Sequence, residues 1–227
     1  MHVILTLETS TTTCSVAIGV DQKVLSFCQS KGEDYRHASE ITMLIEQALR
    51  EAAINWKDLN AVAVSSGPGS FTGLRVGASA AKGICFAHDL PLIGVSTLQI
   101  MAHEVQREES HSDIVFIPMI HARKDEYYLA AYDGKLREIW SPRVFQVAGD
   151  GLQQLGDLGP KIVLVGEGLE NLASRSDLTE AKSIVSNAAM ICPLAASHYK
   201  SGQFIDLESF TPTYLKDPHI TIAKKRI

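Results

Sequence analysis

Ser66-Gly67-Pro68-Gly69-Ser70-Phe71-Thr72-Gly73-Leu74-Arg75-Val76-Gly77 follows directly on Ala61-Val62-Ala63-Val64-Ser65, a run that alternates apolar and small residues. The run reads as a strand, and the glycines and proline at its end force a sharp loop. From Phe71 to about His88 the chain then reads as a helix, with Gly73, Gly77 and Ala81 four apart and Ala80 and Ile84 beside them. Side chains four apart lie above one another on a helix, so these small residues form a stripe that lets another backbone approach closely. Strand, Gly-rich loop and helix together point to an α/β arrangement.

Upstream, Val3 to Leu7, Cys14 to Val20 and Lys23 to Gln29 read as three strands, followed by an amphipathic helix from about His37 to Ala53 whose Ile41, Leu44, Ile45, Ala48 and Leu49 share a face. Downstream, Leu92 to Val95 is a short strand and Ser96 caps a helix through about Arg107. The polar stretch Arg107 to Asp113 marks a boundary, after which three strands come first again: Ile114 to Ile120, Glu126 to Tyr132 and Lys135 to Trp140. The latter two are joined by Asp133-Gly134, read as a hairpin turn. A strand at Ile162 to Val165, the turn Gly166-Glu167-Gly168 and a helix from Ala188 to Lys200 capped by Asn187 complete the second half. The repeated order predicts a duplicated β-sheet with flanking helices in two lobes, 1–108 and 109–227, the last segment packing back on the first.

The 227 residues are 45% apolar with a net charge of −5, enough for a core and too apolar for disorder. A net acidic chain is a poor partner for phosphates, so direct, high-affinity nucleic-acid binding is not expected despite Lys224, Lys225 and Arg226. No export signal or membrane span is read near the N-terminus, which places the chain in the cytoplasm with no membrane role. Cys14, Cys28, Cys85 and Cys192 are widely spaced in apolar runs and read as buried free thiols.

Three segments carry a resemblance: Leu7-Glu8-Thr9-Ser10, the glycine-rich block, and Ile93-Gly94-Val95-Ser96-Thr97-Leu98. They resemble the TsaB (YeaZ) family of the bacterial machinery that makes threonylcarbamoyladenosine in tRNA. The similarity continues through His121-Ala122-Arg123, where histidine stands in place of the family's aspartate, and returns near Pro212-Thr213-Tyr214-Leu215. The resemblance implies a two-lobed actin-like (ASKHA, ribonuclease H-like) fold. It further implies a non-catalytic scaffold that supports threonylcarbamoyl transfer to adenosine 37 of tRNA. Its partners would be the catalytic TsaD homologue, a TsaE-type ATPase and a second copy of itself, with tRNA reached indirectly. TsaD and the second copy would share the helices of the first lobe, which assigns Phe71, Thr72, Gly73, Arg75, Val76, Gly77, Ala80, Ala81 and Ile84 to the partner interface. No cofactor of its own is implied, ATP and magnesium belonging to the assembled complex.

Two other chemistries compete. Glu8, Thr9, Ser10 and Thr11 lie where actin-like phosphotransferases hold a metal-associated carboxylate and a phosphate loop, and Gly67 and Gly69 could offer backbone amides to an anion. A small actin-like ATPase or phosphotransferase would use them. Against it, Leu74 follows Gly73 where a Walker loop needs lysine, and ordinary structural turns use the same residue types. A metallopeptidase is disfavoured because the eight histidines include no His-x-x-x-His; His37 in His37-Ala38-Ser39-Glu40-Ile41 reads as a first-turn helix residue. No Gly-x-Ser-x-Gly elbow marks a hydrolase, and Arg75 and Arg123 remain the best positions for a functional charge.

Overall fold

The computed structural model describes residues 1–30, 37–109, 113–173 and 180–216. The first half runs β1 (Val3–Glu8), β2 (Ser15–Val20), β3 (Lys23–Gln29), α1 (His37–Glu51), β4 (Ala61–Ser65), α2 (Phe71–His88), β5 (Leu92–Val95) and α3 (Thr97–Gln106). The second runs β6 (Ile114–Arg123), β7 (Glu126–Asp133), β8 (Glu138–Gln146), α4 (Gly151–Gly156), β9 (Lys161–Val165), α5 (Glu170–Ala173), β10 (Glu180–Lys182) and α6 (Ala188–Lys200). The strands form two five-stranded sheets, ordered β3-β2-β1-β4-β5 and β10-β9-β6-β7-β8. In each, three consecutive strands pair antiparallel and two more add parallel to the first of them. The expected duplication is therefore present strand for strand, with helical crossovers supplying the parallel pairs.

Alternation along the strands sorts the core into layers. Leu5, Leu7, Val62 and Val64 face α1 and α2, while Ile4, Ala61, Ala63 and Ile93 face α6. β1, the central strand between antiparallel β2 and parallel β4, is buried on both faces. The opposite side of α3, through Leu98, Met101 and Val105, covers the second sheet at Ile114, Phe116 and Val163. Although α6 follows the second sheet in sequence, it returns to the first: Thr6 Oγ1 donates to Ala188 O (2.8 Å) and Ala188 N–H to Ser15 Oγ (3.0 Å). Asn187 caps it as expected, its Oδ1 accepting from Ala189 and Met190 N–H.

The hairpin after β7 departs from the reading. Asp133 N–H donates to Arg137 O (3.0 Å), which encloses three residues, not two, and Leu136 takes a positive φ of 59°. The Asp133 carboxylate accepts from Lys135 N–H, Arg137 N–H and the Arg137 guanidinium, so β8 starts only at Glu138. The Lys224, Lys225 and Arg226 tail lies outside the described residues. Among those residues no helix is long and apolar enough to cross a membrane.

Candidate functional site

Glu8 ends β1 with no exposure to solvent. Its Oε1 accepts from Ser10 N–H (2.6 Å) and Ser65 Oγ (2.8 Å), and its Oε2 from Ser186 Oγ. Ser65 ends β4 and Ser186 lies between β10 and α6, so one buried carboxyl joins the first sheet to the segment returning from the second. The glycine-rich loop is drawn into the same joint. Ser10 O accepts from Ser70 N–H (2.7 Å), Gly67 O from Thr97 N–H (2.9 Å) and Ser66 O from Thr213 N–H (2.8 Å). Ser70 Oγ caps α2 by accepting from Gly73 N–H (3.2 Å). Gly67 holds a φ of 98°, and a Cβ at Gly69 would meet Ser10 Cβ at 2.7 Å, so each needs glycine for a different reason.

Above this joint a cleft of about 610 Å³ opens between the two sheets. Ser10, Thr11, Thr12, Gly69, Ser70 and Thr72 line it from the first half, and Met119, His121, Ala122, Tyr128 and Glu167 from the second. No lysine or arginine lines it among the described residues, and its charged lining group is Glu167. A polyphosphate would need cations or free amides here. The N–H groups of Ser70 and Gly73 are already engaged, and Glu8 directs both oxygens at protein donors. Glu8, Ser10 and Gly67 thus spend these groups on holding the turns together. Thr9 Oγ1 and Ser10 Oγ are buried with no hydrogen-bond partner. His121 Nε2 lies 2.8 Å from Lys124 O and its ring meets Tyr127 edge-on, so the turn that carries Arg123 is braced locally. Among the described residues no three His, Cys, Asp or Glu side chains gather as a metal site would require.

The residues assigned to the partner interface divide between two faces of α2, and here the small-residue stripe is corrected. Gly73, Gly77 and Ala81 are buried in the chain's own core. A Cβ at Gly77 would overlap Thr9 Oγ1 and come within 3.3 Å of Val64 Cγ2, so what the stripe packs against is the chain's own Thr9, just after β1, and Val64 of β4. Sequence spacing shows that a close approach occurs without showing whose. Phe71, Thr72, Arg75, Val76, Ala80 and Ile84 remain on the outer side, where a groove of about 580 Å³ runs between α1 and α2. Met43 on α1 and Phe86 on α2 are 61% and 84% exposed on these helices. The Arg75 guanidinium lies 4.2 Å over the Phe71 ring, and Phe71 in turn packs on Tyr214 at 4.8 Å. Sequence reasoning missed Tyr214 as part of this surface, because nothing local announces a contact across 143 positions.

All four cysteines are free and buried, which agrees with the sequence reading. Burial pushes the thiols up, Cys14 to about 12 with the Glu40 and Glu8 carboxylates adding to it, and Cys28, Cys85 and Cys192 to about 11. Thiolate is the reactive form, so the folded protein is expected to show almost no reaction with a disulfide reagent at pH 8. The same assay in denaturant should titrate four thiols per chain. Rapid labelling of any one in the native protein would contradict the packing described.

A family model described as TsaD, tRNA N6-adenosine threonylcarbamoyltransferase, matches residues 34–223. The tRNA threonylcarbamoyladenosine biosynthesis protein TsaB of Buchnera aphidicola subsp. Acyrthosiphon pisum is 33% identical over 182 residues, covering 80% of this chain and 76% of its own. A crystal structure from Pseudomonas aeruginosa, described as similar to the peptidase YeaZ, superposes with a TM-score of 0.79 at 27% identity over 95% of this chain and 100% of that one. At the level of fold alone, an inorganic polyphosphate/ATP-glucomannokinase from Arthrobacter sp. strain KM aligns with a TM-score of 0.54 at 11% identity, covering 89% of this chain and 100% of that one. The duplicated sheets, the glycine-rich joint between β4 and α2 and these likenesses together place the chain in the TsaB (YeaZ) family, on a two-lobed actin-like fold.

Proposed function

We propose that this chain takes part in threonylcarbamoyladenosine formation in tRNA as a non-catalytic subunit of the cytoplasm. It binds the homologous tRNA N6-adenosine threonylcarbamoyltransferase and supports transfer to adenosine 37, with a TsaE-type ATPase joining the complex and tRNA reached through the partners. The observation that carries this reading is the outer face of α1 and α2, where Met43 and Phe86 are exposed and a groove lined by Phe71, Val76 and Ala80 runs beside the Arg75 cation. The cleft supports it from the other side, since its hydroxyl-lined wall offers a phosphate no side-chain cation among the described residues. A weak homodimer through the same face gives way to the heterodimer when the transferase is present.

Reconstitution tests the reading. The chain alone is expected to leave tRNA unmodified and ATP intact, and modification should appear when the transferase and the ATPase subunit are added. Arg75→Glu, at an exposed position of the outer face, should weaken transferase binding at least about tenfold with little change in melting temperature. ATP turnover by the chain alone at about one per second or faster would favour the phosphotransferase instead.

A further inference from the structure

Among the buried hydroxyls of the described residues that meet no hydrogen-bond partner, only Ser10 Oγ lines the cleft between the two sheets. The backbone of Ser10 is fully spent, its N–H on Glu8 and its O on Ser70 N–H, whereas its side chain, 1% exposed, is held by no bond within the chain. Such a hydroxyl can give one hydrogen bond and take two, and a buried one costs stability until that capacity is used. Around it the cleft has two walls of different chemistry. Thr12, Ser70 and Thr72 add hydroxyls on the side of the glycine-rich joint. On the other side Ile120 and Tyr128, cross-strand partners in β6 and β7, stand with Ile184 and Val185, all four half-buried. The carboxylate on the lining is that of Glu167, at an exposed position of the rim.

We infer that this cleft binds a neutral nucleoside and discriminates against its phosphorylated forms. The base lies against Tyr128 and the aliphatic side chains beside it, and the ribose hydroxyls reach Ser10 and the threonine wall. Each wall excludes a simpler occupant. A sugar alone would leave the apolar wall uncovered, and a purely apolar molecule would leave Ser10 Oγ buried without a partner. A flat base joined to a hydroxylated ring satisfies both, and stacking on an aromatic side chain suits any base. The volume of about 610 Å³ falls within the range of small-molecule sites. A phosphate added to the ligand meets no lysine or arginine among the described residues and is repelled by the Glu167 carboxylate. The inference goes beyond the function proposed above and does not depend on it.

The test is isothermal titration of the full chain with adenosine, guanosine, cytidine and uridine, each alone. At least one is expected to bind with a Kd on the order of 100 µM or tighter, its 5′-monophosphate and free ribose each at least about tenfold more weakly. Ser10→Ala keeps both backbone bonds and removes only the unpartnered hydroxyl. Its nucleoside binding should fall at least about fivefold while the melting midpoint of the ligand-free chain holds or rises, a pair of signs that a purely structural serine would not give. Tyr128→Ala should cost binding a similar factor through the base. No nucleoside binding tighter than about 1 mM would overturn the inference. So would a monophosphate that binds at least as tightly as its nucleoside, ribose that matches the nucleoside, or Ser10→Ala that either binds like the wild type or melts lower. Each of these leaves the subunit role standing, since reconstitution tests that role without any nucleoside.

Discussion

Glu8→Ala is expected to lower the melting temperature by about 10 °C or more. The substitution removes the acceptor of Ser10 N–H, Ser65 Oγ and Ser186 Oγ together, in a place with no solvent to replace it. Each buried donor left without a partner costs about 1–3 kcal/mol, so the loss should reach about 3–5 kcal/mol even after local rearrangement. Near this chain length 1 kcal/mol corresponds to about 2–4 °C. Glu8→Gln keeps the shape and one carbonyl acceptor and should fall between the alanine variant and the wild type. The experiment also addresses the metal. If Glu8 serves the fold, adding magnesium leaves the wild-type midpoint where it was. A midpoint that climbs with magnesium in the wild type and not in Glu8→Gln would show that the carboxylate holds a cation.

The second large effect is expected at Gly77. Leucine is a better helix former than glycine by nearly 1 kcal/mol, so an exposed site would gain from Gly77→Leu. Here the new side chain is driven into Thr9 and Val64, both fully buried, and overpacking of this kind costs about 1–3 kcal/mol and sometimes more. The net result should be a clear loss of stability, read as a lower denaturant midpoint. Gly83, on the same helix, provides the control: a Cβ there meets nothing within 4 Å, so Gly83→Ala should stabilise by up to about 1 kcal/mol. Equal effects at the two glycines would mean that α2 does not sit against β1 and β4 as described.

Where the chain signals its own local structure, the sequence was readable. The α2 and α6 boundaries, β3, β4 and β5 coincide with the runs picked out by periodicity and by glycine, proline and cap residues. The misreadings share a physical cause. At Asp133-Gly134 the carboxylate and a positive φ at Leu136 made a three-residue loop of what composition reads as two, because side-chain acceptors reshape turns. β10 spans three residues and α5 four, too short for any period to register. The stripe on α2 was visible, but its direction depended on where β1 and β4 stand. Glu8 was legible as a candidate residue, whereas its partners Ser65 and Ser186 lie 57 and 178 positions away and no spacing rule connects them.

The return of α6 to the first sheet has a consequence for how the protein is made. The second sheet is drawn from one uninterrupted stretch, Ile114 to Lys182, and is complete as soon as that stretch leaves the ribosome. The strands of the first sheet are all made earlier, between Val3 and Val95, but their packing is completed later. One of its faces waits for Ile191, Leu194 and Ala195, its core waits for Phe210, and its Glu8 waits for Ser186. At about 5–20 residues per second, the roughly hundred residues between β5 and α6 leave that apolar face uncovered for on the order of 5–20 s. During translation the half that starts the chain is therefore the one in need of shelter, and a nascent chain stalled near residue 185 would expose Ile4, Ala63 and Ile93 to whatever chaperone is at hand.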